Sequence, residues 1–406
     1  MQEPSPTLGD IVRRFAPALL ATRGEAVTVA QRAVLAALGR CRTAALGGHV
    51  YRCDHCGAER IAYNACRDRH CPSCLGHKRA SWLRARTAEL LRVPYFHVVF
   101  TVPEEIAALA LGNKKVVYAI LFRAVAETLR CLADDPRHLG AEIGFLAVLH
   151  TWTQTLLHHP HVHCVVPGGG LAHDGEQWIP SRQRFFLPVK VVSRLFRGKF
   201  LALLKEAAER GQLRFAGATA ELAGADARAV FLRDMHRKEW VVYAKPPFGS
   251  PELVLKYLAR YTHRVAISNA RIAGVEEAGV TFRYRDRKHG NIERTMTLSG
   301  VEFLRRFLLH VLPKGFVHIR YFGFLAPRAR TKLAHCRALL HAATATPSTV
   351  APPPPAASTA SDAEPGQDPL CPICGVGRLR HLRILQPEPS VRCFQRTAPI
   401  PARDTS

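Results

Sequence analysis

The sequence predicts an α+β protein, and three observations carry that expectation. Short apolar β-type runs alternate with amphipathic stretches at helical spacing. Six of the twelve cysteines fall between Cys41 and Cys74. A histidine-rich strand, His159-Pro160-His161-Val162-His163-Cys164-Val165-Val166, stands near the middle of the chain.

The elements follow in order. Residues 1–40 read as two helical stretches, the first capped by Asp10 ahead of Ile11, Val12 and Phe15, the second covering Val27 to Leu38. Residues 41–78, rich in Cys, His, Arg and Gly, read as a small metal-held module, and 79–92 as a basic amphipathic helix. Tyr95 to Val102 is a buried strand. Thr101, with Glu104 three residues on and Pro103 in the first turn, starts a helix, or a pair broken near Gly112-Asn113, that runs to about Leu132. Gly144–Thr155 and His161–Pro167 read as adjacent strands ending at Gly168-Gly169-Gly170. Val189–Ala208 is an amphipathic helix and Trp240–Ala244 a strand before Pro246-Pro247. Pro251–Thr262 is a helix. Val265–Ser268, Val280–Tyr284 and Arg294–Leu298 are strands, and Val301–Val311 is a helix. From about Ala342 to Pro369 the composition turns to Ala, Pro, Ser and Thr, the mark of a disordered linker. The domains expected are 1–92 (helical and zinc-binding), 93–340 (catalytic), 341–369 (linker) and 370–406 (a tail with Cys371-x2-Cys374).

The 406 residues suffice for two or three domains. Lys and Arg number 57 against 32 Asp and Glu, a formal charge of +25, which points to nucleic acid as partner. No apolar run reaches membrane length; the nearest, Val116 to Leu129, is interrupted by Arg123 and Glu127. Residues Met1 to Pro6 have neither a basic start nor an apolar signal core, so the cysteines are expected to hold metal in a reducing, cytoplasmic compartment.

Cys53-x2-Cys56 and Cys71-x2-Cys74 are separated by fourteen residues. Paired knuckles at that spacing present four thiolates to one tetrahedral zinc ion. Cys41, His49, Cys66 and His70 are candidates for a second zinc. The alternative for these four is two core cysteines and two phosphate-contacting histidines. Arg67, Arg69, Lys78 and Arg79 frame the module, which is expected to hold DNA. The tail pair Cys371 and Cys374 makes half a site that Cys393 and His381 would complete.

Alternation on a strand puts His161 and His163 on one face, with Val162 on the other. Two imidazoles so placed suit one divalent ion. The third ligand is expected from the neighbouring strand: Gln154 is the choice, with His150 and His158 as alternatives. Two imidazoles and an amide oxygen leave open positions for phosphate and water, which suits Mg²⁺ or Mn²⁺. Tyr257 and Tyr261 share a helix face at i, i+4 spacing, beside Lys256, Arg260, His263 and Arg264; Lys245 precedes them. A phenol with a pKa of about 10 is a reversible nucleophile that conserves the bond energy in a phosphotyrosine. A pair of core aromatics is the plain alternative.

The motifs taken together resemble the rolling-circle transposases of the insertion-sequence 91 family, within the His-hydrophobic-His superfamily of single-strand nucleases. The resemblance covers roughly 10–335. It is carried by Cys41-Arg42-Thr43, Leu46-Gly47-Gly48-His49, the two knuckles with Cys66-Arg67-x-Arg69-His70, His150-Thr151-Trp152, His159–His163, Trp240–Phe248, Tyr257–Arg264 and Phe307–Phe316. It implies an antiparallel-sheet palm flanked by helices after an N-terminal zinc domain. It also implies a metal-dependent tyrosine enzyme that nicks and transfers single-stranded DNA, in a bacterial, nucleoid-associated setting. His161 and His163 match the family's metal pair, and Tyr257 and Tyr261 its nucleophiles. Val317–Gly323 departs from the family pattern, with His318 and Tyr321-Phe322 where Arg and His-Tyr are expected. The alternatives are a replication initiator or relaxase of the same chemistry, or a non-catalytic zinc protein that binds DNA.

Overall fold

The computed structural model describes residues 5–87, 89–182, 187–245, 253, 266–286, 289–344 and 368–388. Helices α1 (Leu8–Arg23) and α2 (Val29–Arg40) open the chain. Thr7, not Asp10, caps α1; Asp10 is the third helical residue and reaches back to the Thr7 amide at 2.8 Å, completing a reciprocal box. A short ribbon follows, β1 (Gly48–Cys53) and β2 (Glu59–Tyr63), and then α3 (Pro72–Thr87).

The centre is a five-stranded antiparallel sheet ordered β12-β4-β5-β3-β8. Its strands are β3 (Tyr95–Thr101), β4 (Phe145–Trp152), β5 (His158–Pro167), β8 (Val242–Lys245) and β12 (Ile319–Phe322). Thr101 ends β3 rather than capping a helix; α4 (Glu104–Gly112) starts after Pro103, and α5 (Lys114–Asp134) follows the break at Asn113. Phe96, Val98, Phe100, Val162, Cys164 and Val166 all point from one sheet face into the main core. There they meet α4, α5 and α6 (Val189–Glu209), whose apolar stripe is set by Val192, Phe196, Phe200 and Leu203. Met235 of α7 (Ala225–Arg237) and Trp240 close that core. β6 (Gly169–Leu171) and β7 (Trp178–Pro180) form a small hairpin.

A second core joins α1 and α2 to α8 (Gly300–Leu308) and to the sheet β9 (Ile272–Val275), β10 (Val280–Asp286) and β11 (Ile292–Leu298). Cys41 and Cys71 lie within it. Ala266–Ser268, expected as a strand, is irregular, although Ala266 and Ile267 are buried there. The chain then runs through α9 (Arg330–Thr344) to β13 (Leu379–Leu385), which pairs with β1. Tyr257 and Tyr261 lie outside the described residues, as do Lys256, Arg260, His263, Arg264 and Cys393.

Gly323 fixes the junction of β12 and β4. It sits at φ +57°, and a Cβ there would lie 1.9 Å from the Ile143 carbonyl oxygen. Gly323→Ala is therefore expected to destabilise the protein by about 2 kcal/mol or more, since strain and a backbone clash add. The denaturation midpoint is the readout, and an unchanged midpoint would contradict this account of the junction.

Candidate functional site

The face of the central sheet opposite the main core carries histidines. In the register of β4 and β5, His150 stands opposite His161 and Val148 opposite His163. One ring nitrogen from each of His150, His161 and His163 can be chosen so that all lie within 4.8 Å of one another. His150 and His163 are 3% and 8% exposed, so two of the three imidazoles are shielded while His161 reaches the surface. Of the described residues, the group contains no carboxylate.

One neighbouring contact sets the tautomer of His161. His161 Nδ1 lies 2.7 Å from the His159 carbonyl oxygen, which only accepts, so Nδ1 carries the proton and Nε2 keeps its lone pair. His163 Nδ1 lies 2.8 Å from Nε2 of His97, a residue of β3 that is 2% exposed. The His163 tautomer in which Nδ1 donates to His97 leaves the Nε2 lone pair available to a metal. Donation of the far ring nitrogen to a fixed neighbour is the usual support of a metal-binding histidine.

Gln154, the expected third ligand, sits in the turn beyond the last paired residues Trp152 and His158, where its carbonyl oxygen accepts from Arg271. His150 occupies the position opposite His161 instead. The other alternative, His158, has both nitrogens in use: Nε2 at 2.8 Å from the Tyr118 hydroxyl and Nδ1 donating to the Ala107 carbonyl at 3.1 Å. Burial pushes His158 down to about 3, and burial does the same to His310, whose Nε2 lies 3.1 Å from the Leu156 carbonyl. Both are neutral at pH 7 and add no charge beside the triad.

The cysteines form two groups of four, divided differently from the expectation. Cys41, Cys66, Cys71 and Cys74 form one, with Cys41–Cys74 at 3.5 Å, Cys66–Cys74 at 3.6 Å and Cys41–Cys71 at 3.6 Å. Cys41 ends α2, and Cys71 and Cys74 flank the first turn of α3. Hydrogen bonds from Cys66 and Cys71 draw the Cys41 thiol far below its usual range, while those same bonds raise Cys66 and Cys71. Cys53 and Cys56 form the other group, with Cys371 and Cys374 of the tail. The structure thus does not bring Cys53 and Cys56 to Cys71 and Cys74. Nor does it bring His49 or His70 to a cysteine group. His70 Nδ1 bonds Asp68 at 2.9 Å and its Nε2 accepts from the Leu312 amide; His49 lies 3.2 Å from His381.

Of the residues expected on DNA, Arg67 is exposed. Arg69 is not: half-buried, it bonds the Phe316 carbonyl at 2.9 Å and His318 at 2.7 Å, joining the zinc module to the β12 loop. The side chains of Lys78, Arg79 and Lys245 lie outside the described residues, although Lys245 pairs in register with His97.

An antiparallel sheet with a histidine cluster, preceded by a cysteine module, matches two family models. The one described as "Putative transposase" matches residues 144–332 and the one described as "Transposase zinc-binding domain" matches 11–102, so the class is a DNA transposase with a zinc-binding N-terminal domain. The "Putative transposase y4qJ" of Sinorhizobium fredii is 57% identical over 349 residues, covering 86% of this chain and 87% of that one. The transposase for insertion sequence element IS801 of Pseudomonas savastanoi pv. phaseolicola is 30% identical over 295 residues, covering 71% and 68%. The chain belongs to the insertion-sequence 91 family of transposases. The solved conjugative relaxase TrwC, in complex with oriT DNA, is 14% identical over 41% of this chain and 68% of that one; at a TM-score of 0.22 this likeness carries no weight. No helix among the described residues is long and apolar enough to cross a membrane.

Sequence reasoning missed His97 and the union of Cys53/Cys56 with the tail. A lone polar residue in the buried run Tyr95–Val102 was the available signal for the first. For the second, the signal was a shared pattern. Cys53–Gly57 and Cys371–Gly375 both read Cys-x2-Cys-Gly, whereas Leu75 follows Cys74.

Proposed function

We propose that this transposase cleaves and transfers single-stranded DNA through a 5′-phosphotyrosine, as the catalytic step of rolling-circle transposition. The observation that carries the reading is the convergence of His150, His161 and His163, each on a sheet strand, with the Nδ1 atoms of His161 and His163 engaged elsewhere. Three imidazoles fit a divalent ion, and by donor type fit Mn²⁺ better than Mg²⁺. When bound, such an ion polarises the scissile phosphate and offsets charge on its oxygens.

The chain's own residues do the rest. The hydroxyl of Tyr257 or Tyr261 attacks phosphorus; the Oη–P bond forms, the bond to the 3′ oxygen breaks, and that oxygen leaves as a hydroxyl after taking a proton. A 3′ hydroxyl of a second strand reverses the step and restores the phenol, and the second tyrosine serves the other transfer. Support for the tyrosine assignment comes from the family model described as "Putative transposase", whose match over residues 144–332 spans both tyrosines. Lys256, Arg260, His263 and Arg264 supply charge for the phosphates. The zinc module, with Arg67 exposed, holds the transposon end as a single strand or hairpin.

The test is cleavage of labelled single-stranded DNA from the element's end, with and without Mn²⁺ or Mg²⁺, scoring covalent adduct on a denaturing gel. Wild type is expected to give a metal-dependent adduct, each of Tyr257→Phe and Tyr261→Phe a reduced or altered set of products, and the double variant none. Absence of adduct from wild type on that DNA, with binding intact, turns the reading to a non-catalytic DNA-binding protein.

A further inference from the structure

We infer that the C-terminal tail completes a second zinc site with the first knuckle, so that one ion ties residues 53–56 to residues 371–374 across more than three hundred positions of sequence. Neither family model reaches the tail: the two end at residues 102 and 332.

The geometry is that of a zinc ribbon built from two separate pieces of chain. Cys53 Sγ lies 3.7 Å from Cys374 Sγ, and Cys56 Sγ lies 3.8 Å from Cys371 Sγ. Distances of this size are the edges of a tetrahedron of sulfurs about an ion at roughly 2.3 Å. The two knuckles repeat one another in detail. Gly57 and Gly375 both follow the second cysteine at φ +70°. The Gly57 amide donates to the Cys53 carbonyl at 3.1 Å, and the Gly375 amide to the Cys371 carbonyl at 2.8 Å. Backbone amides also face the sulfurs: those of His55 and Cys56 lie 3.4 Å from Cys53 Sγ, and that of Gly377 lies 3.4 Å from Cys374 Sγ. Amides so placed stabilise thiolate.

Independent contacts hold the pieces in register. β13 pairs with β1 from Gly48↔Leu385 to Cys53↔Leu379. The Asp54 carboxylate, inside the first knuckle, accepts from the Arg378 amide at 2.7 Å and from Arg380 Nε at 3.2 Å. A Cβ at Gly377 would lie 2.5 Å from Cys53 Sγ, so only glycine lets the tail approach this closely. Cys53 and Cys371, at 2% and 1% exposed, pack with Leu379 into a small core of their own. That core is too small to hold the ribbon, and metal is the usual remedy for such a fold.

The consequence is that the tail is part of the zinc-binding domain.

The experiment counts zinc in the purified full chain and needs no DNA and no cleavage activity, so it stands apart from the proposed chemistry. Wild type is expected to hold one zinc ion more than Cys371→Ser combined with Cys374→Ser, and one more than the chain ending at Thr344, whatever the histidine group takes up. Cys374→His, which keeps a ligand, is expected to match wild type. A specific protease site placed within Pro352–Pro355 gives a second readout. After cleavage, the wild-type tail is expected to co-elute with the body and to separate when zinc is chelated. Equal zinc counts in wild type and the double-serine variant, or a wild-type tail that separates on cleavage, would each overturn the inference.

Discussion

His150→Ala is expected to lower divalent-metal-supported strand cleavage by about 10³-fold while DNA binding persists. Removing one preorganised stabiliser of a developing charge typically costs about 10²–10³ in rate, and loss of one of three ligands also weakens metal binding. The assignment rests on register: His150 stands opposite His161 at the centre of the sheet, and its nitrogen closes the group of three. Gln154→Ala is the discriminating partner. It is expected to leave both metal affinity and cleavage near wild type, because Gln154 sits in the turn past the Trp152–His158 pair and engages Arg271 through its backbone. His97→Ala should fall between the two, with metal affinity lower by about 10–100-fold and cleavage restored by raising Mn²⁺. That rescue separates an orienting residue from a merely structural one. Equal losses in Gln154→Ala and His150→Ala would return the third ligand to the amide. Thermal melts of each variant guard against misfolding, since His150 and His97 are both buried.

The main features of the fold were legible because hydrophobic period reports burial. The run Tyr95–Val102 and the alternation through His161–Val166 marked central strands, and of the two readings of Glu104–Leu132 the structure takes the pair broken near Gly112-Asn113. Same-face placement of His161 and His163 followed from strand geometry alone. The residue opposite His161 did not, because placing His150 rather than Gln154 there requires the register across the β4–β5 turn. That register is shifted by an irregularity between His150 and Trp152 that no local pattern announces. The cysteine partition failed for a related reason. Spacing along the chain pairs the nearest knuckles, whereas the structure pairs Cys53/Cys56 with residues beyond a long Ala/Pro-rich stretch. The signal that survives such distance is the repeated glycine after the second cysteine, a backbone requirement at φ +70° rather than a spacing. Charge composition could not show that Arg69 bonds the Phe316 carbonyl and His318.

Removal of the first metal is expected to have a far larger effect on stability than loss of the tail site. Cys71→Ser should lower stability by about 4 kcal/mol or more, a shift of about 10 °C in Tm, given that zinc contributes about 10–16 kcal/mol in small zinc-folded domains. The reason is position. Cys41 and Cys71 belong to the second core, packed with α1, α2 and α8, whereas Cys53 and Cys371 belong only to the ribbon. Without metal the four sulfurs keep only their contacts of 3.5–3.6 Å with one another and lose their common centre. The end of α2, the Cys66 loop and the start of α3 then lose their link. Arg69, which ties that loop to Phe316 and His318, is released with them. Melting followed by circular dichroism, with and without a strong zinc chelator, measures the effect. The chelator should destabilise wild type strongly and Cys71→Ser only slightly. Equal sensitivity of the two would show that the α1–α2–α8 core holds this module without metal and that the first cysteine group is packing alone.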